Sequence, residues 1–518
     1  MPAPTVPHIP ALRRFLRDAS GAVLIFWGLF LGVAFGFLAL AVDFGRVAGT
    51  QSELQSFADQ VALAAAGELD GRADAITRAT AAADRLIRDR QTHAAGDAVL
   101  SGSDDFTLTF LATLPADDTA AATAATTDAR LARFVRVDVD EATVPTPFAA
   151  VAAAFAGRSD GQDRVVAATA TAGTASFACD VTPLMFCMPN AAWRADANKG
   201  SQIMLRAGGQ GAAWGPGNFG FLDTTTLPID TKGPCAKESG AQLYRCLVGA
   251  ERAITSCLRT DQGVSTETGQ RVGLAEAFNT RFDIFVGYMA QHRDDPAYRP
   301  APNTVQGTLP DKLATGTTPG GGKDKGNGGN GGNNGNGSQR DRCRDGTPEP
   351  SDAMALPRDT CIVNGSCGRI GNGAWDRQAY FNRNHKGIPP AGASTTSTRY
   401  AVYLAEIAAA AGRTSPNNVP LPGMQETGAP MCHASGPTAD PDRRTLIAAA
   451  VDCTANSIQG NTTGIVPTEY VKLFMTEPVA APGGESDAEI MVEVVGSAGG
   501  FGSGATVGTY REFVQLYR

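Results

Sequence analysis

The chain has 518 residues, with 44 Lys and Arg against 52 Asp and Glu, a net charge of −8 and only 19% charged residues. That balance argues against a nucleic-acid binder, whose affinity rests on clustered Lys and Arg neutralising phosphates, and the length leaves room for two or three domains beyond any anchor. With 60 glycines and 7% aromatic residues, the composition describes a loop-rich surface protein more than a compact enzyme.

Residues 1–20 read as a basic cytoplasmic tail, in which Arg13, Arg14 and Arg17 precede an uncharged apolar run, residues 21–42. At about 1.5 Å per helical residue that run is roughly 33 Å long, which matches a hydrocarbon core of about 30 Å. The positive-inside rule keeps the arginines in the cytoplasm and sends everything after Val42 across. The expectation is a single-pass inner-membrane protein with a large periplasmic part. A secretory signal peptide is the nearest competitor, because Ala39-Leu40-Ala41 offers a small-x-small site behind a positive start. The run exceeds the roughly 7–15 residues of a signal h-region and contains bulky Phe26, Trp27, Phe30, Phe35 and Phe37, so a retained anchor is expected. A prepilin-type leader wants Gly followed five residues later by Glu, and here Gly21 is followed by Phe26.

Residues 43–90 continue as helix, with an interruption foreseen at Gly67 or Gly71. Val47, Leu54, Ala58, Val61, Ala65 and Leu69 recur at helical spacing, while Glu53, Ser56, Asp59, Gln60 and Glu68 fall mostly elsewhere around the helix. Small side chains let another backbone approach closely. The stripe therefore suits either a partner helix or the protein's own sheet. Residues 106–112 and 134–140 alternate with period two and read as half-buried strands. They are joined by a polar connection over 116–129. Pro147 opens a short Ala-rich helix to about Ala156, and residues 165–172 have strand character. Residues 43–176 thus form a helix on a small antiparallel sheet, an order that resembles a pilin-like architecture at the level of fold alone.

Residues 177–318 form a Cys- and Gly-rich extracytoplasmic domain, where the turn-dense stretch 214–221 argues against long regular elements and 278–289 reads as a short helix or strand. Residues 319–340, Gly- and Asn-rich, have nothing apolar to bury and read as a flexible loop or linker, so that 177–518 is either one domain with an insertion or two domains. A phosphate-cradling glycine loop would need a strand before it and a helix after it, and neither flank fits. Residues 341–518 form a β-rich segment. It has a helix near 400–411, a strand or helix at 443–451, strands at 469–476 and 488–495, and a terminal segment at 510–517. The whole is α+β, with a mixed α/β ectodomain.

Ten cysteines, all after residue 178, fall on the side placed outside the cytoplasm: Cys179, Cys187, Cys235, Cys246, Cys257, Cys343, Cys361, Cys367, Cys432 and Cys453. An oxidising compartment makes disulfides the default. Connectivity is not readable from sequence, although Cys179 with Cys187 and Cys361 with Cys367 could each close a small loop. No C-x2-C pairing with matching His suggests zinc.

Five histidines, His8, His93, His292, His385 and His433, form no H-E-x-x-H, and neither G-x-S-x-G nor S-x-x-K occurs. Cys432-His433 reads as a disulfide cysteine beside a surface histidine, since a working Cys/His pair needs spatial rather than sequential proximity. Asp138 and Asp140 share one strand face with Arg136 and, with Glu141, read as a solvated face instead of a calcium site. No catalytic, metal or cofactor residue is predicted. Activity on wall peptides or glycans lost on changing His433 or Glu469 would overturn that.

The N-terminal block resembles the TadG-like proteins of the Flp (tight adherence) pilus system. The residues that carry the resemblance are Arg17-Asp18-Ala19-Ser20-Gly21-Ala22, the apolar run, Ala41-Val42-Asp43-Phe44-Gly45-Arg46, and Leu54-Gln55 followed by Ala58-Asp59 and Ala62-Leu63-Ala64-Ala65-Ala66. Phe57 and Gln60-Val61 depart from the Ala-rich family pattern. Cys179 with Cys187, the stretch 214–221 and Tyr470-Val471-Lys472-Leu473-Phe474 are more loosely similar to other members. The resemblance implies a non-catalytic envelope component that assembles or anchors adhesive pili, partnered by other Tad proteins through helix contacts over 47–69 and by membrane lipid. The alternative is an anchored adhesin or surface-binding protein with no pilus role. Asp43, Arg46, Leu54, Gln55, Ala58, Asp59, Ala62 and Ala65 are the expected membrane-boundary and partner-helix positions, and bulky residues at Ala58, Ala62 or Ala65 are expected to disrupt partner association.

Overall fold

The computed structural model describes residues 22–86, 88–90, 92, 99–101, 104–115, 117, 120–155, 163–208, 214–227, 229–230, 232–251, 257–260, 263–267, 274–305, 353–411, 432–458, 461–479, 488–500, 505–508 and 510–517. The basic tail, the Gly/Asn-rich stretch 319–340 and most of the polar connection's 116–119 lie outside these residues. The chain divides into two units, Met1–Thr174 with Val514–Arg518, and Ala175–Phe513. The fold is α+β.

In the first unit, helix α1 (Ala22–Ala66) runs unbroken for 45 residues. No proline interrupts it, and its polar residues begin only at Asp43. The foreseen interruption falls at 67–74, where Gly71 takes a left-handed φ of +78° that a side chain would resist. Arg78 fixes this turn by pairing with Asp70 at 2.7 Å, Asp74 at 3.2 Å and Glu68. Helix α2 (Ala75–Leu86) follows. Helical periodicity stops there, so Arg88–Arg90 (β1) pairs antiparallel with Val99–Ser101 (β2) and does not extend the helix as expected.

Strands β3 (Phe106–Leu111) and β4 (Phe134–Val144) pair antiparallel. On β4, Val135, Val137 and Val139 are buried, while Arg136 and Asp138 share the other face as expected and pair at 2.6 Å. Asp140 and Glu141 are exposed where the ladder to the next strand shifts register between Val139 and Ala142. Helix α3 (Pro147–Phe155) and strand β5 (Arg164–Ala178) complete the segment, with β5 antiparallel to β4. The core gathers Leu54, Phe57, Ala58, Val61, Ala62 and Ala65 of α1 with Val135 and Val137 of β4 and Ala168, Ala170 and Ala172 of β5. Alanine on both the helix and the strand lets the helix approach the sheet closely.

In the second unit, strands come from both sides of the Gly/Asn-rich stretch: β6 (Leu184–Cys187), β7 (Gln202–Ala207), β8 (Asn218–Leu222), β9 (Leu258–Arg259), β10 (Thr266–Glu267), β11 (Thr445–Val451), β12 (Glu469–Met475) and β13 (Glu489–Gly499), while the last strand, β14 (Tyr510–Leu516), has residues in both units. The sheet order is β10-β8-β6-β11-β12-β13-β7, and a further pairing of β7 with β8 closes the ring. Helices α4 (Gly240–Gly249), α5 (Leu274–Asn279), α6 (Thr360–Val363), α7 (Arg377–His385) and α8 (Arg399–Ala410) lie in the same unit. The segments 177–318 and 341–518 therefore build one sheet, and of the two arrangements the sequence leaves open, one domain with an insertion or two domains, it is the first: 319–340 falls within a single unit. Parallel pairing of β6 with β11 and antiparallel pairing of β13 with β7 make each half depend on the other.

Strand β11 shows why 443–451 read ambiguously. Leu446, Ala448 and Ala450 enter one core and Ile447, Ala449 and Val451 another, so the strand is apolar on both faces and shows no alternation. Part of the turn-dense stretch is also strand, β8. There a Cβ on Gly220 would run into the Trp214 ring, so glycine serves packing at that position.

The disulfides correct one expected pair and match the other. Cys179 joins Cys257 and Cys187 joins Cys453, so Cys179 and Cys187 do not close a loop together. Strand register decides this. Ala178 of β5 sits opposite Leu258 of β9, which sets Cys179 opposite Cys257, and Cys187 lies opposite Val451 in the parallel ladder, two residues before Cys453. Cys361 and Cys367 do pair, as do Cys235 and Cys246, and Cys432 is also disulfide-bonded. Cys343 lies outside the described residues.

Candidate membrane and partner interface

The first half of α1 is bare. Fourteen large apolar side chains between Leu24 and Phe44 are 44–79% exposed. Between residues 24 and 42 only Ala39 is even half-covered. At about 1.5–3 kcal/mol per buried large side chain, leaving this surface in water forgoes on the order of 20 kcal/mol. Among the described residues this is the one helix long and apolar enough to cross a membrane.

Asp43 ends the bare stretch. It is 6% exposed, and its Oδ2 accepts the backbone N–H of Ala149 at 2.7 Å. This satisfies one of the free N–H groups in the first turn of α3, which starts at Pro147, a residue suited to the first helical position. Arg46 follows half-buried one turn on, and no described group accepts from its Nε. Gln51 then donates to the Ala167 carbonyl at 2.8 Å, and Gln55 donates to the Thr169 carbonyl at 3.1 Å. Asp59 accepts a second Gln55 N–H at 2.9 Å and orients that amide. The polar residues at fixed spacing thus attach α1 to α3 and to β5.

Leu54, Ala58, Ala62 and Ala65 are fully buried in the first unit's core. They are not open to a second helix, and the partner-helix role expected of them is corrected: the protein's own sheet occupies that face. What sequence reasoning missed lies further up. Gly28, Gly32 and Gly36 recur every fourth residue within the apolar run, and a Cβ on any of them would meet nothing within 4 Å. The G-x-x-x-G spacing, which lets membrane helices approach closely, was the available signal. Length alone hid it.

In the second unit the buried ionic groups hold structure together. Arg399, fully buried, donates to Asp359 at 2.6 Å, to Glu493 at 3.0 Å and to the Pro357 carbonyl at 2.7 Å. Burial pushes the Glu493 carboxyl up, opposed by Arg399. Glu406 accepts from Asn303 at 2.7 Å and from Tyr380 at 2.7 Å, and its Oε1 lies 2.8 Å from His385 Nε2. Burial and the Glu406 charge hold the Tyr380 hydroxyl well above its usual range. Cys432, tied in a disulfide, has no thiol to offer beside His433, whose Nε2 meets the Asp295 carbonyl at 2.8 Å. Glu469 is 1% exposed and accepts the Ala195 N–H at 2.7 Å. An open pocket of about 310 Å³ is lined by Glu251, Arg299 and Asp440 among others, and no group of three or more potential metal ligands occurs among the described residues.

No curated protein and no solved structure matches the chain. Residues 21–68 match the Tad family, described as "Putative Flp pilus-assembly TadE/G-like". The match begins where the apolar run begins and ends within two residues of the end of α1, so it covers both the bare half and the half that carries the sheet. The N-terminal segment of this chain, residues 21–68, is thus similar to the TadE/G-like proteins that the Tad family model describes.

Proposed function

We propose that the protein is a membrane-anchored, non-catalytic component of Flp pilus assembly or anchoring, held in the inner membrane by the first half of α1 with its bulk in the periplasm. The observation that carries this reading is the coincidence of the family match with α1. The helix presents about 28 Å of largely uncovered apolar surface over residues 24–42, close to the thickness of a hydrocarbon core, and then enters a folded unit through Asp43. The arginines ahead of the span orient it, and the disulfides suit an oxidising space. With Ala58, Ala62 and Ala65 occupied by the sheet, contact with helices of other Tad subunits runs through the membrane half. There Gly28, Gly32 and Gly36 are open.

The test is deletion of the gene with a count of surface pili by electron microscopy, followed by complementation with the full chain or with a chain lacking 22–42. Pili lost on deletion and restored only by the full chain are expected. Normal pili after deletion would sink the assembly reading, and normal pili with lost surface binding would favour an anchored adhesin.

A further inference from the structure

Helix α3 reads Pro-Phe-Ala-Ala-Val-Ala-Ala-Ala-Phe, nine residues without one polar side chain. Yet residues 147–151 and 154 are exposed, with Phe148 at 46% and Val151 at 53%, and Ala153 is only half-covered. An isolated helix shorter than about 12–15 residues is marginal in water, and a helix apolar all round belongs in a core or a membrane. Among the described residues no core surrounds it.

A hydrogen bond ties it to α1. Asp43 holds the Ala149 N–H at 2.7 Å, and Asp43 is the first residue after the apolar run. Residues 22–42 are about 31 Å long as helix and fill a hydrocarbon layer of about 30 Å. The first turn of α3 therefore lies at the level where α1 leaves the hydrocarbon, the level also of Phe44, which follows Asp43 and is 73% exposed. Phe148 and Val151, three residues apart, share a face of the helix.

The geometry points to α3 as a second membrane contact: it lies in the headgroup boundary of the leaflet from which α1 emerges, with Phe148 and Val151 seated among the acyl chains. This rests on α1 being a membrane anchor. Such seating buries an apolar helix face to a depth of about 5–10 Å. Two contacts joined through the buried Asp43 carboxylate would keep the first unit's sheet from turning about the axis of α1.

The test uses the full chain in vesicles of phosphatidylethanolamine and phosphatidylglycerol. Single cysteines at Phe148→Cys or Val151→Cys carry an environment-sensitive fluorophore; the native described cysteines are not free to react. Leu31→Cys reports the span. Ser56→Cys, exposed on α1 about 20 Å beyond Asp43, reports water. Labels at 148 and 151 are expected to be quenched several-fold more by lipids carrying doxyl groups near the headgroup than near the bilayer centre, and to be shielded from aqueous iodide. Position 31 should show the reverse depth order. If 148 and 151 behave like 56 while 31 is lipid-quenched, the seating of α3 is overturned and the anchor stands. If 31 itself is not lipid-quenched, the anchor fails and takes this inference with it. Labels open to iodide in vesicles but shielded in native membranes would make the occupant a protein, which also overturns the proposal.

Discussion

The two halves of α1 are one continuous helix with opposite fates. Phe30 is 52% exposed, whereas Phe57, 27 residues later, is fully buried with its ring 6.1 Å from that of Phe106. Residues 22–42 carry no polar side chain and 43–66 carry ten, so what covers each half differs. Distribution around the helix decides it. The first half is apolar on every side, which no single sheet can cover, and the second keeps Glu53, Ser56 and Gln60 on an outer face so that Leu54, Ala58 and Ala62 can share an inner one.

The sharpest way to break this comparison is to truncate the same residue type in each half. Phe57→Ala removes a ring from a packed core and is expected to cost about 3–5 kcal/mol. Hydrogen exchange at the β4 amides should speed up accordingly. Phe30→Ala should leave that exchange unchanged. Equal acceleration by both would mean that the halves are packed alike, and the comparison would fail.

Adding volume probes the same contrast from the other side. Ala62→Leu inserts methylenes into the core that α1 shares with β4 and β5, an overpacking expected to cost about 1–3 kcal/mol. Loss of partner association in this variant should follow loss of the folded unit and never precede it. Gly32→Leu should leave the sheet's protection intact and reduce crosslinking between α1 and neighbouring membrane helices. If Ala62→Leu keeps full β4 protection yet loses crosslinking, the partner contact lies in the lower half after all.

Much of this was legible. Strict alternation at Val135, Val137 and Val139 marked β4, and the uncharged run marked the span. The burial of Ala58 and Ala65 could be read only as a choice, because a helical stripe of small residues looks the same whether a sheet or another helix lies on it. The second unit's single sheet was hidden for a different reason. Pairing of Met185 with Ala449 joins strands more than 250 residues apart, and nothing local in either strand specifies it. The Cys187–Cys453 bridge, with a sequence separation of 266, belongs to the same non-local information. Asp43 was singled out from its position at the end of the run, but its partner, the Ala149 N–H, is 106 residues away.

That bond gives the next test. Replacing an N-terminal helix acceptor by Ala costs about 0.5–2 kcal/mol, so Asp43→Ala should fray α3 by roughly 1 kcal/mol and raise exchange at Ala149 and Ala150. Asp43→Asn keeps an acceptor oxygen and should recover most of the loss. Recovery by Asn but not by Ala separates the cap from a need for charge at the membrane boundary. A requirement for charge would leave both variants equally impaired.

The smallest expected effect lies at Gln55, where the amide meets the Thr169 carbonyl in a partly solvated place. A typical hydrogen bond contributes about 0.5–1.5 kcal/mol net, and here water can replace the lost donor, so Gln55→Ala should fall near the lower end. Gln55→Glu is the sharper variant. It sets a carboxylate against both the Thr169 carbonyl and the Asp59 carboxylate that now accepts from Gln55, so it should cost more than Ala although it keeps the side chain's size. Adding Asp59→Asn to Gln55→Glu removes the like charge and offers a donor, and should return part of the stability. Hydrogen exchange at β5 reads all three. If Gln55→Glu is no worse than Gln55→Ala, the Gln55–Asp59 pair does not fasten α1 to its sheet, and the second half of α1 is held by its buried apolar side chains.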